Sequence, residues 1–420
     1  MKLWLDVDDL FFFARRSVRP SGIQRLSGEV YTALMEIEPE RVGFFVHDNA
    51  SSGFRAVTWA VVKEVYRQLT LGPEGEHRAQ SEYGSLKTAG LLARFLPSFS
   101  RRSAPPQAMP DLAPLVDLRD LIEPGDVLCG LGAPWHNPSY VSQIGKVMRT
   151  VPSRFALLVY DLIPVLRQEY IGRRREPNFE KFMYGALPLA DVLLTISRAT
   201  ANDVVQWARL QGLELKTQPR PIPIGHGFTR PPPAPLPKGL APGSFVLFVS
   251  TIEVRKNHQL AFRIWSRLLR ELPRERVPTL VFAGNVGWMV DDLLKAIDNT
   301  NSLDGKLVLI HKADDATLGS LYEACRFTLF PSLYEGWGLP VSDSLAFGKV
   351  CVASNTTSIP EAGGDFCVYI DPENTTAAYE IIRELIESPT RLRDMEWRLK
   401  AQFRPTPWSA TARAIIDAVS

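Results

Sequence analysis

The sequence predicts an α/β protein with two doubly wound domains, each built on a parallel sheet. The second half alternates short apolar runs, typical of buried strands, with amphipathic helical patterns. A Pro-rich stretch at 231–243 is typical of a stiff, extended connector. The length of 420 residues suits two domains that each bury a core. We therefore expect domains at 1–230 and 244–405, the linker at 231–243, and a final helix at 406–420 able to cross back to the first domain.

The composition indicates a soluble, cytoplasmic protein. Hydrophobic residues make up 45% of the chain and charged residues 22%, and the net charge of +2 gives no general attraction to nucleic acid. The four cysteines are scattered and mostly lie in apolar runs, which favours buried, reduced thiols. No secretory signal opens the sequence, and no apolar run reaches the ~18 residues needed to cross a bilayer.

The first domain is predicted to begin with an apolar strand at 2–7. A glycine turn follows at Gly22, and Leu26, Val30 and Leu34 then repeat at helical spacing. Strand, glycine turn and helix form a geometry that tolerates an anion at the start of a doubly wound sheet. The polar, Pro-rich residues 50–125 show little pattern. Further strands are predicted at 42–46, 126–129, 154–160, 192–196 and 221–224, and helices at 178–187 and 199–210.

The second domain is predicted to alternate strands and helices regularly. Ligands of such parallel sheets bind at the carboxyl ends of the strands. Strands are predicted at 245–249, 279–282, 307–310, 327–330, 350–353 and 368–370, and helices at 259–272, 318–324, 340–347 and 377–387.

The stretch 330–361 combines a strand end, a Gly-rich loop and a helix start. The loop Glu335-Gly336-Trp337-Gly338 leads to Leu339 and Pro340, and proline suits the first turn of a helix. The first backbone N–H groups of that helix are unpaired, and its dipole favours an anion. The loop is therefore predicted to hold an anion, with Glu335 at its rim.

Two cations and a second carboxylate are predicted to lie at the same edge of the sheet. Arg255 and Lys256 follow a strand and precede a helix, and Asp343 comes eight residues after Glu335. Two cations and a helix N-terminus suit a diphosphate, whereas two carboxylates suit hydroxyl groups as hydrogen-bond acceptors. Hydroxyl groups that flank a diphosphate describe a nucleotide sugar.

The segment Glu335 to Asp343 resembles the E-x7-E signature of retaining GT-B glycosyltransferases of family 4, also called group 1. The resemblance covers nearly the whole chain apart from about 50–125, and it implies a GT-B fold of two Rossmann-like domains facing across a cleft. The supporting segments are T-I-E-V-R-K-N at 251–257, Y-D-L-I-P at 160–164, T-I-S-R at 195–198, the N-terminal L-D-V, S-G-I-Q-R at 21–25, and Trp408.

The resemblance implies three catalytic residues in the second domain. Arg255 and Lys256 would bind the donor diphosphate and offset the negative charge that develops on the leaving nucleoside diphosphate. Glu335 would hold sugar hydroxyls near the anomeric carbon. The backbone N–H groups of Gly338 and Leu339 would bind the phosphates.

The resemblance also assigns roles to further residues, and at two of these positions the residue type differs from that of the family. Asp343 would accept hydrogen bonds from the ribose, but the family has glutamate there, which is longer by one methylene. Tyr160 stands where the family has histidine, so that Tyr160 and Asp161 would form the acceptor side. Gly22 would let the loop of the first domain approach the diphosphate.

The function implied is a retaining, metal-independent transfer of a hexose from a nucleotide sugar, with GDP-mannose as the favoured donor. The acceptor would be a lipid-linked precursor of a bacterial surface polysaccharide such as lipopolysaccharide. No cofactor is expected, because Arg255 and Lys256 would neutralise the diphosphate. The D-x-D pattern of Asp6 and Asp8 matches metal-using glycosyltransferases, but a structural or capping role is favoured.

Two questions stay open at this level. The apolar and basic segment 86–102 fits either peripheral contact with the anionic inner face of the cytoplasmic membrane or packing on its own domain. A non-catalytic nucleotide-sugar-binding subunit of a polysaccharide assembly complex is the alternative to an enzyme. An epimerase or phosphorylase lacks specific support, and a dehydrogenase is disfavoured because no G-x-G-x-x-G follows the first strand of either half.

Overall fold

The computed structural model describes residues 1–15, 20–48, 53–71, 116–171, 178–228, 232–311 and 313–420. Within these ranges the chain forms two compact units. The first unit contains the described residues up to 71 together with 116–225 and 406–420, and the second contains the described part of 226–405.

The first unit is built on one sheet in the order β3-β2-β1-β4-β5-β6-β7. All neighbouring strands are parallel except β2 and β3. Its apolar side chains pack between the sheet and the helices, around Trp4, Phe45, Leu128 and Phe155. Its strands are β1 (Leu3–Asp6), β2 (Val42–Asp48), β3 (Gly53–Val57), β4 (Val127–Gly130), β5 (Arg154–Val159), β6 (Val192–Thr195) and β7 (Arg220–Pro221).

The second unit is built on a fully parallel sheet in the order β10-β9-β8-β11-β12-β13. The chain runs from β8 outward to β10, then returns to pair β11 with β8 and continues outward on the other side. The order therefore reverses between β8 and β11, which makes that point the switch of a doubly wound sheet. Its strands are β8 (Phe245–Val249), β9 (Thr279–Ala283), β10 (Leu307–Ile310), β11 (Thr328–Phe330), β12 (Cys351–Ser354) and β13 (Val368–Ile370).

The segment Asn301–Gly305 is a short turn with positive φ. The helices are α1 (Asp8–Ala14), α2 (Gly22–Ile37), α3 (Trp59–Leu71), α4 (Tyr140–Thr150), α5 (Ile163–Leu166), α6 (Phe179–Leu189), α7 (Arg198–Leu210), α8 (His258–Glu271), α9 (Asp291–Asn299), α10 (Asp315–Ala324), α11 (Leu339–Ala346), α12 (Ile359–Gly363), α13 (Thr375–Glu387), α14 (Pro389–Gln402) and α15 (Trp408–Val419).

The α/β class with two doubly wound sheets is confirmed, and the differences are local. The strand predicted at 221–224 is only Arg220–Pro221, because Pro221 and Pro223 have no N–H to donate to a ladder. The antiparallel β3 and the helix α3 lie in the stretch that showed little pattern in the sequence. The segment 86–102 lies outside the described residues.

The C-terminal helix α15 belongs to the first unit and packs against α2. The indole of Trp408 covers Gly225 so closely that a Cβ at residue 225 would lie 2.2 Å from the ring. Real Cβ atoms do not approach so closely, so glycine is required for this contact. The Trp408 side chain therefore fixes the start of α15 against Gly225, where the segment 116–225 of the first unit ends.

Candidate functional site

The candidate site lies in the second unit, at the carboxyl ends of β8 and β11. These two strands flank the point where the strand order reverses. Ligands of open α/β sheets bind in the crevice at such a point, because the loops there diverge. The loop after β8 contains a single 3-10 turn, Val254–Lys256, and the loop after β11 carries Glu335.

The structure brings Arg255, Lys256 and Glu335 into one ion network, as the sequence predicts for a shared edge. Arg255 Nη1 lies 2.7 Å from Glu335 Oε2, and Lys256 Nζ lies 2.6 Å from Glu335 Oε1. The other end of the guanidinium, Nη2, lies 2.8 Å from Glu253 Oε1. Glu335 is 8% exposed and Glu253 is 2% exposed, so these ion pairs are largely shielded from water. Two largely buried cations are thus balanced by two buried carboxylates.

The charges of this network determine the protonation of its members. Burial opposes ionisation of Glu335, but Arg255 and Lys256 outweigh it and hold the pKa of Glu335 at about 2. Burial and the neighbouring Arg255 lower the pKa of Lys256, and burial raises the pKa of Glu253. His258, the first residue of α8, has a pKa lowered to about 3 by burial and by Lys256, so it adds no charge near neutral pH. Glu335 is therefore a carboxylate throughout the physiological range.

Arg255 also fixes the backbone of the loop that carries Glu335. Its carbonyl oxygen accepts a hydrogen bond from the Leu333 N–H at 2.8 Å, and its Nη1 donates to the Tyr334 carbonyl oxygen at 2.6 Å. The following Asn257 adopts φ 61° and donates from its amide to the Pro372 carbonyl oxygen at 2.9 Å. The two loops are thus joined through both backbone and side chain.

A second structural element holds the Glu335 loop, and sequence reasoning missed it. It is the hydroxyl segment, defined as residues 354–358 (S-N-T-T-S), which begins at the last residue of β12. Its first serine donates to the Ser332 carbonyl oxygen at 2.6 Å, and Ser358 Oγ donates to the carbonyl oxygens of Glu335 and Trp337 at 2.8 and 3.0 Å. Thr357 Oγ1 accepts from the Glu335 N–H at 3.0 Å. Four hydroxyl residues within five positions were the signal available in the sequence.

The helix start predicted after the Gly-rich loop is present. Gly338 has φ 117° and caps α11, which begins at Leu339 and carries Pro340 in its first turn. The indole Nε1 of Trp337 donates to Ser342 Oγ at 3.0 Å, so this side chain anchors the loop to the helix. Asp343 lies on α11 and is only 6% exposed. Gly338, Leu339 and Asp343 thus belong to the same unit as the ion network.

The residues expected on the acceptor side lie in the first unit. The Tyr160 hydroxyl donates to the Leu131 carbonyl oxygen at 2.6 Å, and burial raises the pKa of this phenol well above its ordinary value. Asp161 Oδ1 accepts from the Ile163 N–H at 2.9 Å, and Gly22 is the first residue of α2. The Tyr160 hydroxyl is therefore engaged inside its own unit, unlike a side chain that points into solvent.

Asp6 and Asp8 make the contacts of structural carboxylates. Asp6 Oδ1 accepts from the Asp8 N–H at 2.9 Å, and Asp8 Oδ1 accepts from the His47 N–H at 3.3 Å. Burial raises the pKa of both carboxyl groups. Over the described ranges, no group of three or more His, Cys, Asp or Glu side chains is arranged to hold a metal ion.

None of the helices in the described part of the chain is both long and apolar enough to span a bilayer.

Comparisons with known proteins place this geometry in context. Residues 241–401, which contain the ion network and α11, match the family described as glycosyl transferases group 1. The chain is 26% identical over 291 residues to the serotype-specific mannosyltransferase WbdA of Escherichia coli, covering 67% of this chain and 35% of that protein. It is 30% identical over 240 residues to O-antigen chain mannosyltransferase B of Escherichia coli, covering 56% of this chain and 60% of that protein. The chain thus spans about a third of the length of WbdA.

Solved structures share the fold at low sequence identity. The complex of Anabaena Alr3699/HepE with UDP superposes with a TM-score of 0.62 and 13% identity, covering 100% of this chain and 99% of that one. TarM superposes with a TM-score of 0.51 and 13% identity, covering 72% of this chain and 57% of that one. The predicted fold, a GT-B fold of two Rossmann-like domains, is confirmed.

Proposed function

We propose that this chain, whose residues 241–401 belong to the group 1 glycosyl transferases, transfers a hexose from a nucleotide sugar to a glycan. The observation that carries the proposal is the buried network in which Arg255 and Lys256 hold the Glu335 carboxylate at the switch point of the sheet. Such a site offers both cations for a diphosphate and a carboxylate for sugar hydroxyls. The relatives named above, both mannosyltransferases, support mannose as the sugar and O-antigen synthesis as the setting.

In this proposal the two cations and the carboxylate of the network have separate roles during transfer. As the bond from the anomeric carbon to the diphosphate breaks, negative charge grows on the leaving phosphate. Lys256 and Arg255 would stabilise that charge in a largely buried, low-dielectric site, where such interactions are strong. Glu335, ionised at all working pH values, can accept hydrogen bonds from donor sugar hydroxyls and orient the anomeric carbon.

We propose that the reaction retains the anomeric configuration and needs no metal ion. The two cations and the N-terminus of α11 together can neutralise a diphosphate, which is the task a metal performs in other transferases. Transfer would occur on the face from which the diphosphate leaves, with the leaving phosphate helping to deprotonate the acceptor hydroxyl. Asp343, on the same helix α11, would accept hydrogen bonds from the ribose of the donor.

We also propose that the acceptor is lipid-linked and that the protein works in the cytoplasm against the inner, anionic face of the membrane. The described surface that supports this contact is the outer face of α14. Trp397 is 72% exposed there, and exposed Arg393 and Lys400 flank it at four and three residues along the helix. Tryptophan suits a membrane–water interface, and each cation near an anionic surface contributes about 1 kcal/mol.

Vesicle co-sedimentation tests this membrane contact. The wild-type chain should pellet with vesicles containing anionic phospholipid, and a combined Arg393→Ala, Trp397→Ala, Lys400→Ala variant should pellet less. The matched control is Leu210→Ala, which removes an equally exposed apolar side chain from the first unit. Equal pelleting of the triple variant and the control would refute this surface as the contact.

A nucleotide-release assay tests the activity. The purified chain is incubated with each of several GDP- and UDP-sugars, with and without a glycan acceptor, and the free nucleoside diphosphate is measured. GDP-mannose is expected to give acceptor-dependent release, and the product linkage should have the configuration of the donor. Tight binding of a donor without hydrolysis or transfer would refute the enzyme and favour a nucleotide-sugar-binding subunit. Loss of activity on chelation would refute the metal-free mechanism.

A further inference from the structure

We propose that Thr357 is a positioning residue that fixes Glu335 for transfer, and that its strained backbone is retained to keep its hydroxyl in place. The proposal rests on the proposed function in one respect only, since it assumes that Glu335 orients the donor sugar. It concerns a residue outside the two loops that carry the charged groups. Thr357 follows β12, and its contact with Glu335 spans 22 residues of sequence.

The backbone of Thr357 lies where threonine is disfavoured. Its φ is 52°, in the left-handed region, where a β-branched side chain crowds the neighbouring carbonyl oxygen. Among the described non-glycine residues with positive φ, Thr357 is the one with a β-branched side chain. Glycine would adopt this conformation without crowding, so threonine at this position indicates a task for the side chain.

The Thr357 side chain binds the backbone of Glu335. Thr357 Oγ1 accepts the hydrogen bond from the Glu335 N–H at 3.0 Å, and the neighbouring Ser358 Oγ donates to the Glu335 carbonyl oxygen at 2.8 Å. Both backbone polar groups of Glu335 are thus bound by two consecutive hydroxyl residues. The left-handed turn at Thr357 therefore occurs at the point where two neighbouring residues place their hydroxyls on the same residue.

These two hydrogen bonds to the backbone of Glu335 complement the ion pairs of its carboxylate. Arg255 and Lys256 hold the carboxylate, while Thr357 and Ser358 hold the backbone from a different strand end. When a donor diphosphate attracts the two cations, the hydrogen bonds from the hydroxyl segment still hold the backbone of Glu335. Catalytic geometry must be kept to within about 0.5 Å, so this second support matters most when the donor is bound.

The other hydroxyl side chains of the segment also bind the Glu335 loop, so the role of Thr357 can be tested without unfolding that loop. Its first serine and Thr356 bind the carbonyl oxygens of Ser332 and Leu333, and Ser358 binds that of Trp337. These hydrogen bonds keep the loop folded without the Thr357 hydroxyl. Loss of that hydroxyl should therefore affect the placement of Glu335 while leaving the loop and the diphosphate-binding groups in place.

Four variants at two positions test the proposal. Thr357→Gly removes both the hydroxyl and the crowding, Thr357→Val keeps the branched shape without the hydroxyl, and Thr357→Ser keeps the hydroxyl. Thr356→Ala is the matched control, because it removes a neighbouring hydroxyl whose hydrogen bonds are longer, at 3.3 Å. For each variant the thermal midpoint, the donor KM, kcat, and amide hydrogen exchange of the loop 332–337 are measured.

The expected pattern separates positioning from stability. Thr357→Gly should unfold at the same or a higher temperature than the wild type and yet lose kcat by about tenfold, with the donor KM changed less than about twofold. Thr357→Val should lose kcat to a similar degree, and Thr357→Ser and Thr356→Ala should stay within about twofold of the wild type. Equal losses in kcat and kcat/KM indicate an interaction that acts in the transition state.

Amide exchange gives a readout that does not depend on turnover. Exchange at the Glu335 N–H should accelerate at least tenfold in Thr357→Gly and Thr357→Val and stay near the wild-type rate in Thr357→Ser. Unchanged exchange and kcat in both variants without the hydroxyl would overturn the proposal, as would a fall in thermal midpoint that accounts for the lost activity. Altered exchange with a wild-type chain inactive on every donor would refute the proposed function instead.

Discussion

Replacement of Glu335 by glutamine should remove a pH-dependent part of the stability of the second unit. The carboxylate is 8% exposed and paired with two cations, and its pKa falls from an ordinary 4.5 to about 2. One pKa unit corresponds to about 1.4 kcal/mol, so ionised Glu335 stabilises the folded state by roughly 3 kcal/mol at neutral pH. Glu335→Gln lacks this contribution and leaves Arg255 and Lys256 without a carboxylate between them.

The sign of the pH dependence follows from the lowered pKa. A carboxyl group with a lowered folded-state pKa stabilises the protein above its unfolded pKa and loses that contribution as the pH falls toward the folded value. The gap in unfolding free energy between the wild type and Glu335→Gln should therefore be full above about pH 5 and shrink as the pH falls from there toward 2.

Urea titrations of both proteins, from pH 7 down to pH 3, measure this gap. The surface carboxyl groups are common to both chains, so their titration cancels in the difference. Glu361→Gln, on the nearby helix α12, serves as a control for the loss of one carboxylate. A wild-type to Glu335→Gln gap that stays constant from pH 7 to pH 3 would refute the ion network as the cause.

Three further predictions follow from the same site. Lys256→Ala should lower kcat by about 100-fold in the nucleotide-release assay, because the proposed mechanism assigns this cation to the charge on the leaving phosphate; near-normal turnover would contradict this role. Asp343→Ala should raise the donor KM about tenfold with kcat changed less than threefold, and Asp343→Glu should restore part of the affinity; an unchanged KM would exclude a ribose contact. Gly284→Ala should lower the urea midpoint of unfolding by an amount equivalent to about 2 kcal/mol, because its Cβ would lie 1.9 Å from the Ser250 carbonyl oxygen; an unchanged midpoint would contradict the close approach.

The position of the charged groups could be predicted from the sequence because it depends on local patterns. A buried strand followed by Arg255 and Lys256, and another followed by Glu335, must end at the same edge of a parallel sheet. Once these side chains lie at one edge of the sheet, their opposite charges are enough to explain why they form ion pairs. The start of α11 after the Gly-rich loop was predicted for the same reason, since proline acts on its own neighbours.

Contacts that depend on the path of distant backbone could not be predicted in this way. The Thr357 hydroxyl reaches Glu335 only because residue 357 adopts a conformation that threonine rarely takes, so its residue type argued against the turn. Glu253 appeared in the sequence only as a loop residue, whereas the structure places it 2% exposed against Arg255. The antiparallel β3 was missed because its pairing partner determines an edge strand more than its own composition does.

The network also shows that its two cations are not equivalent. The Arg255 side chain bridges Glu253 and Glu335 and donates to the Tyr334 carbonyl oxygen, whereas Lys256 pairs with Glu335 alone among the carboxylates within 4 Å in the described residues. Removal of Arg255 would leave the buried Glu253 carboxylate without its ion-pair partner, which is strongly destabilising, so lost activity would not distinguish chemistry from unfolding. Lys256 can be removed at a smaller structural cost, because Arg255 still balances Glu335. The lysine is therefore the position at which the contribution of charge to the proposed transfer can be measured.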